Sequence, residues 1–420
     1  VSESEAPAQE GYPVLAVPAD GIPAVIDTPE ALATTRAALR RGQGPIAIDT
    51  ERAQGYRYSG KAYLIQLRRQ GAGTHLIDPT PFEEGRPRAD FHEFADELAD
   101  VEWILHAASQ DLPCLAEVQF LPHHLFDTEL AARLAGLPKV SLGALMEQAL
   151  GLSLLKEHSA ADWSRRPIPE DWRAYAALDV ERLTELRDWL IERLEAQDKL
   201  EWAHQEFDYL AEHATDPPTA RKDPWRRTSG LHSLHTPAAL AVVRELWAVR
   251  EEIAATEDRA PGRVVPDRAL TDLAGRLESE HKTRLTRADL KSVRGFTNRV
   301  SARFESRWLA ALDRAANLPR TELPPRNISP EGPPLPRSWE RRWPDSFARF
   351  NRVRPALINL AGTLELPVEN LLSPDHLRRL LWDSPPTTSV QEVDARLAEL
   401  GTRPWQRELV VPVITANWTA

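Results

Sequence analysis

The stretch that most constrains this chain is Ile46–Ala47–Ile48–Asp49–Thr50–Glu51, an apolar, strand-forming run that ends in two acids spaced i, i+2. Alternate side chains of a strand share a face, so Asp49 and Glu51 project together at the end of a buried strand. Two carboxylates held side by side repel each other unless a cation lies between them or one takes a proton. Two solvated acids at a strand end account for an isolated Asp-x-Glu. A site requires more acids from elsewhere in the chain.

The elements around this strand can be read in order. Tyr12–Val17 is expected as a short edge strand. Thr28–Arg41 reads as a helix, with Thr28 as its cap, Pro29 in its first turn and Gly42 as its stop. Ala62–Leu67 and Thr74–Ile77, separated by Gly71 and Gly73, complete an antiparallel meander whose first strand carries the acidic pair. The pattern then alternates. Phe91–Leu98 is helical, Trp103–His106 a strand, Gln110–Val118 a helix, Leu125–Asp127 a further strand, and Thr128–Ala135 and Leu142–Leu150 helices. The result is a mixed sheet flanked by helices.

Two places on this frame supply acids. Ser109 is the expected N-cap of its helix and Asp111 falls in the first turn, where dipole complementarity is an ordinary reason for an acid. A long helix from about Glu170 to Ala196 puts Tyr175 and Asp179 four residues apart on one face. The plain alternative there is a tyrosine packed on the sheet and an aspartate in solvent. Against it, Ala174, Ala176, Ala177 and Leu178 surround the pair, and an acid among small apolar residues faces something that needs it.

Asp49, Glu51, Asp111 and Asp179 would converge at one edge of the sheet. Hard oxygen ligands of this kind suit Mg²⁺ or Mn²⁺, and two such ions about 3.5–4 Å apart can promote phosphodiester hydrolysis. The Tyr175 hydroxyl would orient the attacking water. The sequence has no zinc-spaced His/Cys cluster, no Walker-type loop and no Gly-x-Ser-x-Gly.

Composition limits the partners. The 420 residues carry a net charge of −11, which excludes bulk electrostatic attraction to nucleic acid and leaves local patches. From Lys282 to Arg307 eight bases stand against two acids, which reads either as a solvated helical face or as a phosphate-contacting patch centred on Arg287, Lys291 and Arg294. Thr215–Arg227 and Asn317–Pro336 are proline-rich linkers that bracket an all-helical module. A second helical stretch, Phe347–Leu381, loosely repeats it: Pro261…Pro266–Asp267…Leu270…Leu273 has a counterpart in Pro367…Pro374–Asp375…Leu377…Leu380. The apolar run Leu409–Ile414 has no assigned place. With the single cysteine Cys114, no apolar run of about 18 residues and an acidic start, the expectation is a cytoplasmic protein with no membrane segment.

The arrangement resembles the ribonuclease D family, 3′–5′ exoribonucleases of the DEDD superfamily, in the branch whose third motif carries tyrosine. The first motif is Ile46–Glu51 followed by Tyr63–Leu64–Ile65–Gln66–Leu67. The second is Leu105–His106–Ala107–Ala108–Ser109–Gln110–Asp111–Leu112, and the third Tyr175–Ala176–Ala177–Leu178–Asp179–Val180, preceded by Asp162–Trp163…Arg166–Pro167. Arg250–Glu251–Glu252–Ile253 and Arg259–Pro266 resemble the helicase-and-RNase-D C-terminal (HRDC) domain. The resemblance departs at Arg52, where phenylalanine is expected.

It implies an α/β ribonuclease-H-like mixed sheet followed by one or two all-α domains. Residues 1–11 would be a disordered tail, 12–214 the exonuclease domain, 215–230 and 317–337 linkers, 231–316 an HRDC domain and 338–420 a second HRDC-like one. It implies two divalent ions on Asp49, Glu51, Asp111 and Asp179, with Tyr175 positioning water. The substrate would be RNA with a free 3′ end, such as tRNA precursors, with no obligate protein partner. His106 and Lys156 are further candidates for phosphate contact. A 3′–5′ DNA exonuclease and a non-catalytic nucleic-acid binder are the competing readings.

Overall fold

The computed structural model describes residues 11–83, 85, 88–154, 158, 160–217, 221–327 and 332–419. Lys156 lies outside them. The main sheet has six strands: β1 (Val25–Ile26), β2 (Gln43–Arg52), β3 (Ala62–Gln70), β4 (Gly73–Ile77), β5 (Glu102–Leu105) and β6 (His124–Asp127). Their spatial order is β1-β4-β3-β2-β5-β6. The meander β2-β3-β4 is antiparallel, whereas β5 and β6 add on in parallel through helical crossovers. The expected edge strand reduces to Val14–Leu15, which pairs with Ser153–Leu154 outside the main sheet.

The register decides where the acids go. Strand β2 pairs with β5 only through Ile46↔Trp103 and Ala47↔Ile104, then runs on past the end of its parallel neighbour. Asp49 and Glu51 stay paired to β3, opposite Gln66 and Leu64, and so stand at the rim of the sheet.

The flanking helices follow local signals. Helix α1 (Pro29–Arg41) is capped by Thr28, whose hydroxyl accepts from the Ala31 N–H at 3.3 Å. Helix α2 (Leu112–Glu117) starts one residue after Asp111, and the turn before it bends through Ala107 in the left-handed region at φ 60°. Ser109 therefore is not the cap: a 3₁₀ turn over Ala108–Gln110 takes that place. Helices α3 (Thr128–Leu134) and α4 (Leu142–Leu150) come next. The long helix expected from Glu170 is two, α5 (Glu170–Glu181) and α6 (Leu183–Ala196), broken at Arg182. After the break α5 lies along the meander, while α6 packs chiefly on α3 and α4 and also on β2 and β5. Helix α7 (Leu200–Glu212) closes this part.

The next module has its own core. Helices α8 (Pro237–Thr256), α9 (Asp267–Ser279) and α10 (Glu305–Asn317) bury Leu246, Ile253, Leu270, Leu273 and Trp308 together, and Trp225 of the expected linker joins them. The module is tied to the β2–β3 loop. Asp258 accepts from the N–H groups of Tyr58 (3.2 Å) and Ser59 (2.9 Å), and Arg263 donates to the Gly55 carbonyl at 2.6 Å.

The last helices are α11 (Pro344–Thr363), α12 (Pro374–Leu381), α13 (Val390–Glu399) and α14 (Pro404–Ala416). The internal repeat is visible as matching one-turn helices, Pro261–Val264 before α9 and Val368–Leu371 before α12. Unlike the middle module, these helices share the sheet domain's core, with Trp339, Leu357, Trp405 and Ile414 continuous with it. The unassigned apolar run therefore lies in α14, where Val410, Val411 and Ile414 are buried. Arg403 grips Glu206 of α7 through two bonds of 2.9 and 2.6 Å, and Trp405 stacks on Trp202 at 4.9 Å. At Gly136 (φ +74°) an added Cβ would lie 2.1 Å from the Glu365 carbonyl oxygen, so only glycine allows this approach.

Candidate active site

Asp49, Glu51 and Asp179 each offer a carboxylate oxygen within 4.8 Å of the others. Two come from the protruding end of β2 and the third from α5, whose Ala176 and Ala177 pack with no exposure and bring the helix close to the strand. Asp111 lies outside this group of three but lines the same cavity of about 630 Å³, together with Tyr175, His106 and Gln110. It reaches the site through Thr50, whose hydroxyl donates to an Asp111 carboxylate oxygen at 2.5 Å. Thr50 points away from Asp49 and Glu51 on the alternating strand, so the cavity wraps around the strand end.

The electrostatics are those of crowded acids that, among the described residues, have no ion-pair partner. Burial, and then the Asp111 and Asp179 charges, push the Asp49 carboxyl well above the usual carboxylate range. Glu51 is raised by burial and by Asp49. Burial lifts Asp179 to about 7, partly offset by hydrogen bonding from Tyr175, and lifts Asp111 to about 6. Folding places these groups together at a cost, and a divalent cation is the species that removes it. The donor set is all oxygen, which suits a hard ion. Burial and the Asp179 charge raise the Tyr175 phenol, so it stays protonated at neutral pH.

His106 is in the cavity but uncharged: burial pushes its pKa down to about 4, and its Nδ1 lies 2.9 Å from the Thr128 hydroxyl. Any contact it makes with substrate is through a neutral ring nitrogen. Cys114, raised by burial to about 12, stays a thiol next to Thr50.

Several contributors escaped the sequence reading. Gln66, fully buried opposite Asp49, donates to Asp49 Oδ2 at 3.3 Å; its signal was a glutamine inside the apolar run Tyr63–Leu67. Arg166 clamps Asp78 with bonds of 2.5 and 2.7 Å and donates to the Tyr63 and Trp163 carbonyls, which sets the approach to α5. Asp127 accepts four backbone N–H bonds, from Ala107, Ala108, Glu129 and Leu130, and so holds the turn that leads to Asp111.

Arg287, Lys291 and Arg294 do not line the cavity. Glu305 pairs with Arg287 and lies 3.7 Å from Lys291. Lys282, Arg284, Arg303 and Arg307 also have acidic partners. Among the described residues Arg294, which is exposed, has no ion-pair partner. No helix among the described residues is long and apolar enough to cross a membrane.

Comparison with known proteins gives the family. Residues 23–195 match a 3′–5′ exonuclease family, 239–312 the HRDC domain, and 332–417 a family described as the 3′ to 5′ exonuclease C-terminal domain, where the sequence reading expected a second HRDC-like module. Ribonuclease D of Pseudomonas paraeruginosa is 32% identical over 71% of this chain and 77% of its own length. A crystal structure of a protein from Bifidobacterium adolescentis is 37% identical, with a TM-score of 0.86 over 97% of this chain and 99% of that one. The Escherichia coli RNase D structure, titled an exoribonuclease involved in structured RNA processing, is 25% identical with a TM-score of 0.62 over 90% and 99%. This chain belongs to the ribonuclease D family and is a 3′–5′ exoribonuclease.

Proposed function

We propose that this chain trims the 3′ ends of structured RNAs in the cytoplasm, tRNA precursors among them, and releases nucleoside 5′-monophosphates. The observation that carries this reading is the Asp49–Glu51–Asp179 group, with oxygens within 4.8 Å of one another and, among the described residues, no cation that pairs with them. Asp49, Glu51, Asp111 and Asp179 would hold two Mg²⁺ or Mn²⁺ ions. When bound, the ions would supply the Lewis-acid stabilisation of developing charge that phosphodiester hydrolysis uses. In that reaction the oxygen of water bonds to phosphorus and loses a proton, the P–O3′ bond breaks, and the departing O3′ takes up a proton to become the 3′ hydroxyl of the shortened RNA. The protonated Tyr175 hydroxyl, beside Asp179, orients the water and does not act as a base.

Matched single-stranded RNA and DNA oligonucleotides test the proposal. RNA should shorten from its 3′ end with release of 5′-monophosphates; strong preference for DNA would overturn it. Tyr175→Phe should lower kcat about 10²-fold by loosening the position of the water, with KM changed far less. A fall confined to KM would remove Tyr175 from this role.

The helical module is proposed as a second RNA contact through Arg287, Lys291 and Arg294, while His106 and Lys156 are candidate contacts in the exonuclease domain. Arg294 has its donors available, whereas Arg287 shares its charge with Glu305. Arg294→Gln should reduce the slope of log Kd against log salt for single-stranded RNA by about 0.7, and Arg287→Gln by less. Equal slopes for wild type and both variants would make this face solvated surface.

A further inference from the structure

Arg52 is the last residue of β2, next to Glu51, and its side chain lines the catalytic cavity. The β2–β3 pairing slips at this point: Glu51 lies opposite Leu64 but Arg52 opposite Ala62, an irregularity that re-aims the strand's end. Several guanidinium groups in this domain have a carboxylate in hand. Arg36 pairs with Glu97, Arg68 with Asp20, Arg166 with Asp78 and Arg187 with Glu102. Arg52 does not. It is partly buried, yet among the described residues no hydrogen bond or ion pair satisfies its donors. Its charge is felt by Asp49, Glu51 and Asp111 without contact.

The rest of the described lining is anionic or neutral. Asp49, Glu51, Asp111, Glu129 and Asp179 contribute five carboxylates, and Arg52 is the one lysine or arginine among the described lining residues. A polyanion entering such a cavity meets repulsion wherever metal ions do not shield it. A partly buried guanidinium with a full set of unused donors is matched to the paired oxygens of a phosphate, which it can hold with two parallel bonds.

We propose that Arg52 binds a backbone phosphate of the RNA strand inside the cavity. The role rests on the exoribonuclease reading of the site. It makes Arg52 a substrate-binding residue where phenylalanine was expected.

The test compares wild type, Arg52→Gln and Arg52→Lys, using a labelled single-stranded RNA with Ca²⁺ in place of the catalytic ion. Binding is followed across a range of salt concentrations. Arg52→Gln should weaken binding about tenfold and lower the slope of log Kd against log salt by about 0.7, the loss of one phosphate contact. Arg52→Lys should keep the slope, because it keeps the charge, and bind with intermediate affinity, because it loses the paired geometry. With Mn²⁺, the Gln variant should show a KM rise of similar size and a much smaller change in kcat. If binding and slope match wild type, the proposal is overturned. A shifted Mn²⁺ midpoint with an unchanged salt slope also overturns it, and assigns Arg52 to balancing the acids. Failure of the wider reading would look different: wild type itself would leave RNA uncut with any divalent ion.

Discussion

Asp49→Asn is expected to slow RNA trimming by about 10³-fold while making the metal-free protein more stable than wild type. The loss of activity follows from removing an anionic oxygen from the group formed with Glu51 and Asp179. Stabilisation of the transition state by metal ions is worth several kcal/mol, so a loss of about 4 kcal/mol, or about 10³-fold in rate, is the scale to expect. The gain in stability follows from the same crowding. Asp49 and Glu51 are pushed up by burial and by their neighbours, Asp179 to about 7 and Asp111 to about 6.

The sign is fixed by proton linkage. Carboxyls whose folded values lie above their unfolded values bind more protons in the folded state, so the cluster's contribution is fully favourable below the ordinary carboxylate range. For Asp179 it is lost as pH rises through about 7, and for Asp49 and Glu51 as pH rises through their raised values. Metal-free wild type should therefore lose Tm over that window, and divalent ions should restore more at about pH 8 than at about pH 5. Asp49→Asn should flatten the pH dependence and shrink the gain from Mn²⁺. Thermal unfolding with EDTA and with Mn²⁺ checks both. A variant that matches wild type in EDTA and responds to Mn²⁺ as wild type does would detach Asp49 from the metal site.

How far the chain could be read in advance is shown by one tripeptide that occurs twice. Asp49–Thr50–Glu51 and Asp127–Thr128–Glu129 are identical, and each ends an apolar strand. The first lies on a strand that continues into an antiparallel hairpin, so its acids stay on the rim, free to bind. The second ends a strand that passes directly into α3, so its aspartate becomes a helix cap facing inward. Only the following residues separate the two outcomes, and the alternating Thr50 and Glu51 pattern gives no hint of the Thr50–Asp111 bond.

The meander, the crossover strands and the three acidic motifs were legible because local periodicity encodes them. The break at Arg182 was not, because residues on both sides form helix equally well and the bend is imposed by packing on two different surfaces. The ion pairs of the basic stretch were not legible for a related reason. Glu252, Glu257 and Asp313, outside the stretch, pair with three of its bases. Glu252 and Glu257 are distant in sequence from Arg307 and Arg303, and Asp313 is 29 residues from Arg284, so nothing local to the stretch announces the pairing. Likewise, the repeat in the last helices was visible, but their joining of the sheet domain's core depends on Glu206, Trp202 and Gly136, far upstream.

Asp127→Ala should be the most damaging substitution outside the acidic group. The carboxylate is buried, and its two oxygens take four N–H donors: Oδ1 accepts from Ala107 (3.0 Å), Glu129 (2.8 Å) and Leu130 (3.1 Å), and Oδ2 from Ala108 (2.9 Å). These bonds close the N-terminus of α3 and hold Ala107 in a left-handed conformation that a non-glycine residue adopts only at a cost of about 1 kcal/mol. Even so, burial outweighs the donors and raises the Asp127 carboxyl to about 6. Alanine would leave all four donors unanswered in a dry site, a loss of about 3–5 kcal/mol, which lowers the unfolding temperature of the sheet domain by roughly 8–15 °C. Asparagine can keep the three bonds to Oδ1 but sets its amide against the Ala108 N–H, so it should cost only about 1–2 kcal/mol. Stability alone would not distinguish a cap from a residue that positions the site. The turn it holds ends at Asp111, whose placement against Thr50 depends on it. At a temperature where both variants are fully folded, Asp127→Ala should therefore lose about 10²-fold in kcat and require more Mn²⁺ for half-maximal rate, with Asp127→Asn close to wild type in both. Equal kcat in all three proteins would confine Asp127 to capping α3.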